Sequence, residues 1–177
     1  MEEKIQYTIS IYSENNVGLL NRVSAIFLKR HVNIMSFSTS QSEIKDVFRF
    51  VIVVSVSEIQ IKKLVQQIEK QVDVIKAFYH TDKETIFQES ALYKVKSSSL
   101  FKQRHIQNVI KKSNANIVTV SPKFFVIEKT GFRHETEQLY KDLEPYGLLQ
   151  FVRSGRISVT KSKMGISDIL NTFKDSN

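Results

Sequence analysis

The chain has 177 residues, 41% hydrophobic and 25% charged, with no cysteine and a formal net charge of +8. This is the make-up of an ordinary soluble globular protein with room for one core or two modest ones; the missing cysteines exclude a disulfide framework and a thiolate zinc site. The charge is lopsided: residues 1–88 hold 11 Lys/Arg against 10 Asp/Glu, and residues 89–177 hold 15 against 8, so the second half predicts a solvated basic surface or an acidic, phosphate-bearing or nucleic-acid partner.

Residues 5–12 alternate strictly, with Ile5, Tyr7, Ile9 and Ile11 on one face and Gln6, Thr8, Ser10 and Tyr12 on the other, the period of a half-buried strand. Glu14-Asn15-Asn16-Val17-Gly18 is turn chemistry. Leu19, Leu20, Val23, Ile26 and Phe27 then recur at helical steps to about Arg30. A second strand is expected near Val32–Thr39, a polar loop over Gln41–Asp46, and a central strand over the β-branched run Val47–Ser55. Ser57 and Gln60 form a capping-box pair ahead of a stripe of Ile61, Leu64, Val65, Ile68 and Val72. A fourth strand is expected from Asp73 to Tyr79, and His80–Glu84 reads as a linker.

The same order recurs. A strand is expected over Ala91–Lys96 and a helix over Leu100–Ser113, with Phe101, Ile106, Val109 and Ile110 inward. Strands Asn116–Val120 and Phe124–Lys129 flank the turn Ser121-Pro122-Lys123. A helix over Glu135–Leu143 stops at Pro145-Tyr146-Gly147. Strands Leu148–Val152 and Arg156–Thr160 close the unit, and Ile166, Ile169, Leu170 and Phe173 form a short helix or a tail. The expected fold is α+β, two consecutive ferredoxin-like βαββαβ domains over residues 1–80 and 85–162, followed by a tail at 163–177.

No catalytic constellation emerges. His31, His80, His105 and His134 have no metal-ligand spacing among them, and no phosphate-binding glycine pattern occurs. The βαββαβ order is also that of RNA-recognition motifs. Here, however, Asp46–Val53 is aliphatic rather than aromatic and reads as core, so nucleic acid is not the expected partner. Met1–Lys4 shows no basic-then-apolar leader pattern, and no stretch approaches the roughly 18 apolar residues of a membrane span. A cytoplasmic protein without a membrane partner is expected.

The Asn15–Gly18 turn either only joins strand to helix or also receives a ligand. It lies between a strand and an amphipathic helix, where unpaired N–H groups and the helix dipole favour a carboxylate. Gly18 permits close backbone approach, and Asn15 offers donors and an acceptor. Asn33 lies at the far end of the same helix and reaches such a ligand only from a second chain.

Glu14-Asn15-Asn16-Val17-Gly18-Leu19-Leu20-Asn21-Arg22-Val23, with Ile26-Phe27, Arg30 and Asn33-Ile34, resembles the opening of the acetolactate synthase (acetohydroxyacid synthase) small subunit, an ACT domain. The likeness continues through Phe48–Val54, Asp73–Lys76, Ile117–Pro122, Phe125–Gly131 and Phe151–Arg156, about residues 5–162 in all. The resemblance implies a non-catalytic, homodimeric regulatory subunit in branched-chain amino acid biosynthesis. Such a subunit activates a separate catalytic (large) subunit that holds thiamine diphosphate, Mg²⁺ and FAD, carries no cofactor itself, and imposes feedback inhibition by valine. It places the effector across paired ACT domains, on Asn15 and Gly18 of one chain and Asn33 of the other, with Val17, Leu19 and Ile34 as apolar neighbours. A free-standing ACT sensor for another enzyme or a transcription factor is the alternative. The chain departs from the family pattern at His31-Val32, where Gly-Tyr is usual, so a helix-stop glycine is missing just ahead of Asn33. It departs again in the Gln41–Asp46 loop and at Glu89–Leu92.

Overall fold

The computed structural model describes residues 3–102 and 104–162, and the side chains of residues 100–104 are left aside. The expected tail at 163–177, with Ile166, Ile169, Leu170 and Phe173, and the side chain of Phe101 lie outside the described residues. The described residues divide into two compact units, one made of residues 3–86 and 158–162, the other spanning Phe87–Ile157.

In the first unit β1 (Ile5–Glu14), α1 (Leu19–Lys29), β2 (Ile34–Gln41), β3 (Val47–Val56), α2 (Glu58–Glu69) and β4 (Val74–Thr81) follow one another. The antiparallel sheet has the order β2-β3-β1-β4. One sheet face carries Tyr7, Ile9, Ile11, Phe50, Ile52, Val54 and Ala77. Against it lie Leu19, Val23, Ile26 and Phe27 of α1 and Ile61, Leu64, Val65 and Ile68 of α2. The capping box forms as expected: the Ser57 hydroxyl accepts from Gln60 N, and Gln60 Oε1 accepts from Ser57 N.

Three expectations change. The polar face of β1 is buried as well: Thr8, Ser10 and Tyr12 are all buried. On that face Tyr12 and Val47 pack with Ile44, Ile75 and Phe78, and Arg49 donates to the Ser158 carbonyl at 2.7 Å and to Ser10 Oγ at 3.3 Å. Val72 is fully exposed because α2 ends at Glu69, three residues before it. Leu20 is half-exposed, on the flank of α1 rather than beneath it.

The second unit repeats the scheme with β5 (Thr85–Lys96), the helical segments α3 (Ser97–Lys102) and α4 (Arg104–Lys112), β6 (Asn116–Val120), β7 (Phe124–Gly131), α5 (Arg133–Leu143) and β8 (Leu148–Arg153). Its sheet order, β6-β7-β5-β8, has the same form as the first. β5 begins six residues earlier than its apolar alternation suggested, and the short β9 (Ile157–Thr160) pairs with it. Tyr93 is fully buried in this core and donates to the Thr136 carbonyl at 2.7 Å. Burial pushes its phenol up to about 12, against a smaller opposing pull from Arg153. Gly147 stops the helical run in the left-handed region, at φ 81°.

The two units end their first helices alike. His31 N bonds to Leu28 O and Val32 N to Phe27 O; Asn114 N bonds to Lys111 O and Ala115 N to Ile110 O. Both are Schellman closures, with His31 (φ 52°) and Asn114 (φ 49°) in the position glycine usually takes. The helix stop ahead of Asn33 is therefore kept without its glycine, because the two closing hydrogen bonds hold His31 in the left-handed region. That region costs a residue with a Cβ about 1–2 kcal/mol, part of which glycine's extra unfolded-state freedom offsets. His31→Gly is expected to stabilise the protein by about 0.5–1 kcal/mol, read as a rise in the urea midpoint at unchanged slope.

Candidate functional site

The site is built where β1 hands over to α1. Gly18 is the N-cap of α1 at φ 88°, ψ −7°, and no side chain caps the helix. Its first turn holds no acidic residue. Leu19 N bonds to Asn16 O at 3.3 Å and Arg22 N to Gly18 O at 3.1 Å. The N–H groups of Leu20 and Asn21 thus face outward from the helix start, as the first donors of any helix do. A Cβ placed on Gly18 meets nothing within 4 Å, so the space beside Gly18 at the helix start is open. The arrangement suits a small carboxylate, which the helix dipole favours by about 0.3–1 kcal/mol.

The residues expected at the site are not all in one place. Asn15 and Val17 are exposed on the turn, Val17 completely. The Leu19 side chain, 2% exposed, belongs to the core under α1, so only its backbone faces the turn. Asn33 is exposed and Ile34 half-buried at the start of β2, beyond the other end of α1. Eleven helical residues span about 16 Å, so within one chain Asn33 and Gly18 do not share a ligand the size of an amino acid.

Four residues not expected at the site, Glu14, Asn16, Arg22 and Asp73, hold the turn. Asn16 Nδ2 donates to Asp73 Oδ1 at 2.7 Å and to Glu14 Oε2 at 3.3 Å. Arg22 pairs with Asp73 Oδ2, and Glu14 N donates to the Asp73 carbonyl at 3.0 Å. Asp73 lies 57 residues from Asn16, so no local pattern announces the pairing. Among the described residues no group of three His, Cys, Asp or Glu side chains is placed to hold a metal ion, and no helix is long and apolar enough to cross a membrane.

Comparison with known proteins covers both units. Residues 9–76 match the family model described as "AHAS small subunit-like ACT domain", and residues 88–162 match that described as "Small subunit of acetolactate synthase". The acetolactate synthase small subunit of Mycobacterium bovis is 33% identical over 160 residues, which is 90% of this chain and 95% of that one. Its counterpart in Bacillus subtilis is 34% identical over 148 residues, 83% of this chain and 86% of its own. The crystal structure of the acetolactate synthase small subunit from Thermotoga maritima superposes with a TM-score of 0.79 at 24% identity, covering 90% of this chain and 99% of that one. This last likeness bears on the fold, which it matches through both units.

Proposed function

This chain belongs to the family of acetolactate synthase small subunits, and on that premise we propose that it activates a separate acetolactate synthase large subunit and transmits feedback inhibition by valine. Catalysis, with thiamine diphosphate, Mg²⁺ and FAD, is assigned to the large subunit. The sensing role falls to the N-terminal domain, expected over residues 1–80, rather than to the second, expected over residues 85–162. The working form is a homodimer in the cytoplasm.

The observation that carries the sensing role is the uncapped start of α1 behind Gly18, open to solvent and free of acidic residues. A valine carboxylate there accepts from the outward N–H groups, and Asn15 binds its polar end. Val17 and Ile34 contact the isopropyl group, with Leu19 anchoring the helix start from below. The sheet topology supports the contribution of Asn33 from a second chain. β1 and β2 are both antiparallel to β3 and so run parallel to each other. β2 is an edge strand without a charged residue, the kind of edge open to pairing. Antiparallel pairing of β2 with its copy brings the partner's β2 start, and with it the second Asn33, to the end of the sheet where Asn15–Gly18 lies. Feedback sensing asks only for millimolar affinity, about −4 kcal/mol, within reach of a few hydrogen bonds and one buried isopropyl group.

The test is acetolactate formation by the cognate large subunit, with and without this chain, across a valine titration. Stimulation that valine reverses is expected. A folded chain that fails to stimulate overturns the assignment and leaves a free-standing amino-acid sensor.

A further inference from the structure

We propose that Asp73 is the positioning residue of the effector turn, an inference that rests on reading Asn15–Gly18 as the effector site. Residues 15–17 are exposed, the helix they lead into has no side-chain cap, and Gly18 sits in the left-handed region. A turn of this kind has little of its own to select one conformation. What selects it comes from the segment between α2 and β4. Asp73 engages three successive parts of the handover at once: its carbonyl takes the N–H of Glu14 at the end of β1, Oδ1 takes the Asn16 amide in the turn, and Oδ2 takes the Arg22 guanidinium in α1.

The Asp73 side chain is only 14% exposed while its partners Asn16 and Arg22 lie open to solvent, so the tether acts by joining three segments at one residue rather than by the strength of any single bond. The register supports the placement. Pairing of β1 with β4 shifts between Tyr12 and Ser13, so that Ser13 lies opposite Val74 and the turn opposite Asp73. With Asn16 tethered, its neighbours Asn15 and Gly18 present to the ligand in one arrangement. Without the tether the ligand must order the turn as it binds, which weakens binding without removing a contact. The tether also draws Arg22 to the flank of α1, where Asp73 offsets a positive charge that the helix start disfavours.

The experiment is calorimetric titration of the full chain with L-valine, accompanied by thermal melts. Asp73→Ala and Asn16→Ala are each expected to raise the Kd about tenfold or more. The double variant should lie within about threefold of Asp73→Ala, since both changes cut the same tether. Asp73→Asn keeps an acceptor for Asn16 and should bind within about threefold of the unsubstituted chain, a rescue that general destabilisation does not produce. Asn16→Ala leaves the Asp73–Arg22 pair in place and tests the tether even if Asp73→Ala melts too low to titrate. A Kd unchanged in Asn16→Ala, or one lost equally in Asp73→Asn and Asp73→Ala, overturns the positioning role while leaving the effector site standing. Absence of valine binding in the unsubstituted chain overturns both.

Discussion

Gly18→Asp removes the valine response: the valine midpoint in the acetolactate assay is expected to rise at least a hundredfold. The new carboxylate occupies the open space over the α1 start, where a Cβ meets nothing within 4 Å, and faces the carboxylate the site receives. Two like charges about 4 Å apart repel by roughly 4 kcal/mol at an effective dielectric near 20, and a tenfold loss needs only about 1.4 kcal/mol. The side chain also caps the helix from within, accepting the bonds the ligand would take. Gly18→Ala separates charge from backbone. It carries the same left-handed strain, at about 1–2 kcal/mol, with nothing new to repel an anion, so its midpoint should move far less. Circular dichroism should show both variants folded. A Gly18→Asp chain that responds to valine at the unsubstituted midpoint removes this turn from the effector site.

Phe27→Ala has the largest expected effect on stability, a loss of about 3–5 kcal/mol against a total that for domains of this kind is about 5–15 kcal/mol. Phe27 is 1% exposed in the cluster that joins both helices of the first unit to its sheet. Truncation leaves a ring-sized cavity among Val23, Ile26 and their sheet neighbours, and rigid surroundings fill it only in part. Its carbonyl also accepts from Arg30 N and Val32 N at the helix stop, so a cavity here loosens the point from which Asn33 is presented. One position on, Leu28 is 76% exposed, and Leu28→Ala should stay within about 0.5 kcal/mol of the starting stability. Urea denaturation followed by circular dichroism checks both; equal midpoints for the two variants would refute the assigned orientation of α1.

Much of this molecule is written in local pattern. The β-branched run at Val47–Ser55, the Ser57–Gln60 capping box and the three- and four-residue spacing of α1 and α2 each depend on neighbours within a few positions. All three appear where the sequence places them. The repeat of βαββαβ order, and the Asn15–Gly18 turn between β1 and α1, were legible for the same reason. So was the family, since its residues lie in short contiguous blocks.

Tertiary structure alone decided the rest. The alternation in β1 predicts one wet face, but whether the second face is covered depends on what packs there, and Tyr12 and Val47 gather Ile44, Ile75 and Phe78 on it. His31 looked like a lost helix stop because intrinsic preference favours glycine there; two backbone hydrogen bonds hold it in the same conformation. Val72 continued a helical stripe in sequence but lies past the last helical turn. Leu19 stood beside the turn in sequence, yet its side chain belongs to the core. The role of Asp73 in the turn has no local signal: its partners Asn16 and Arg22 are more than fifty positions away, and only the pairing of β4 with β1 brings them within hydrogen-bonding distance. Local periodicity specifies which face of an element is apolar, whereas the ends of elements, and what meets there, are set by chain segments remote in sequence.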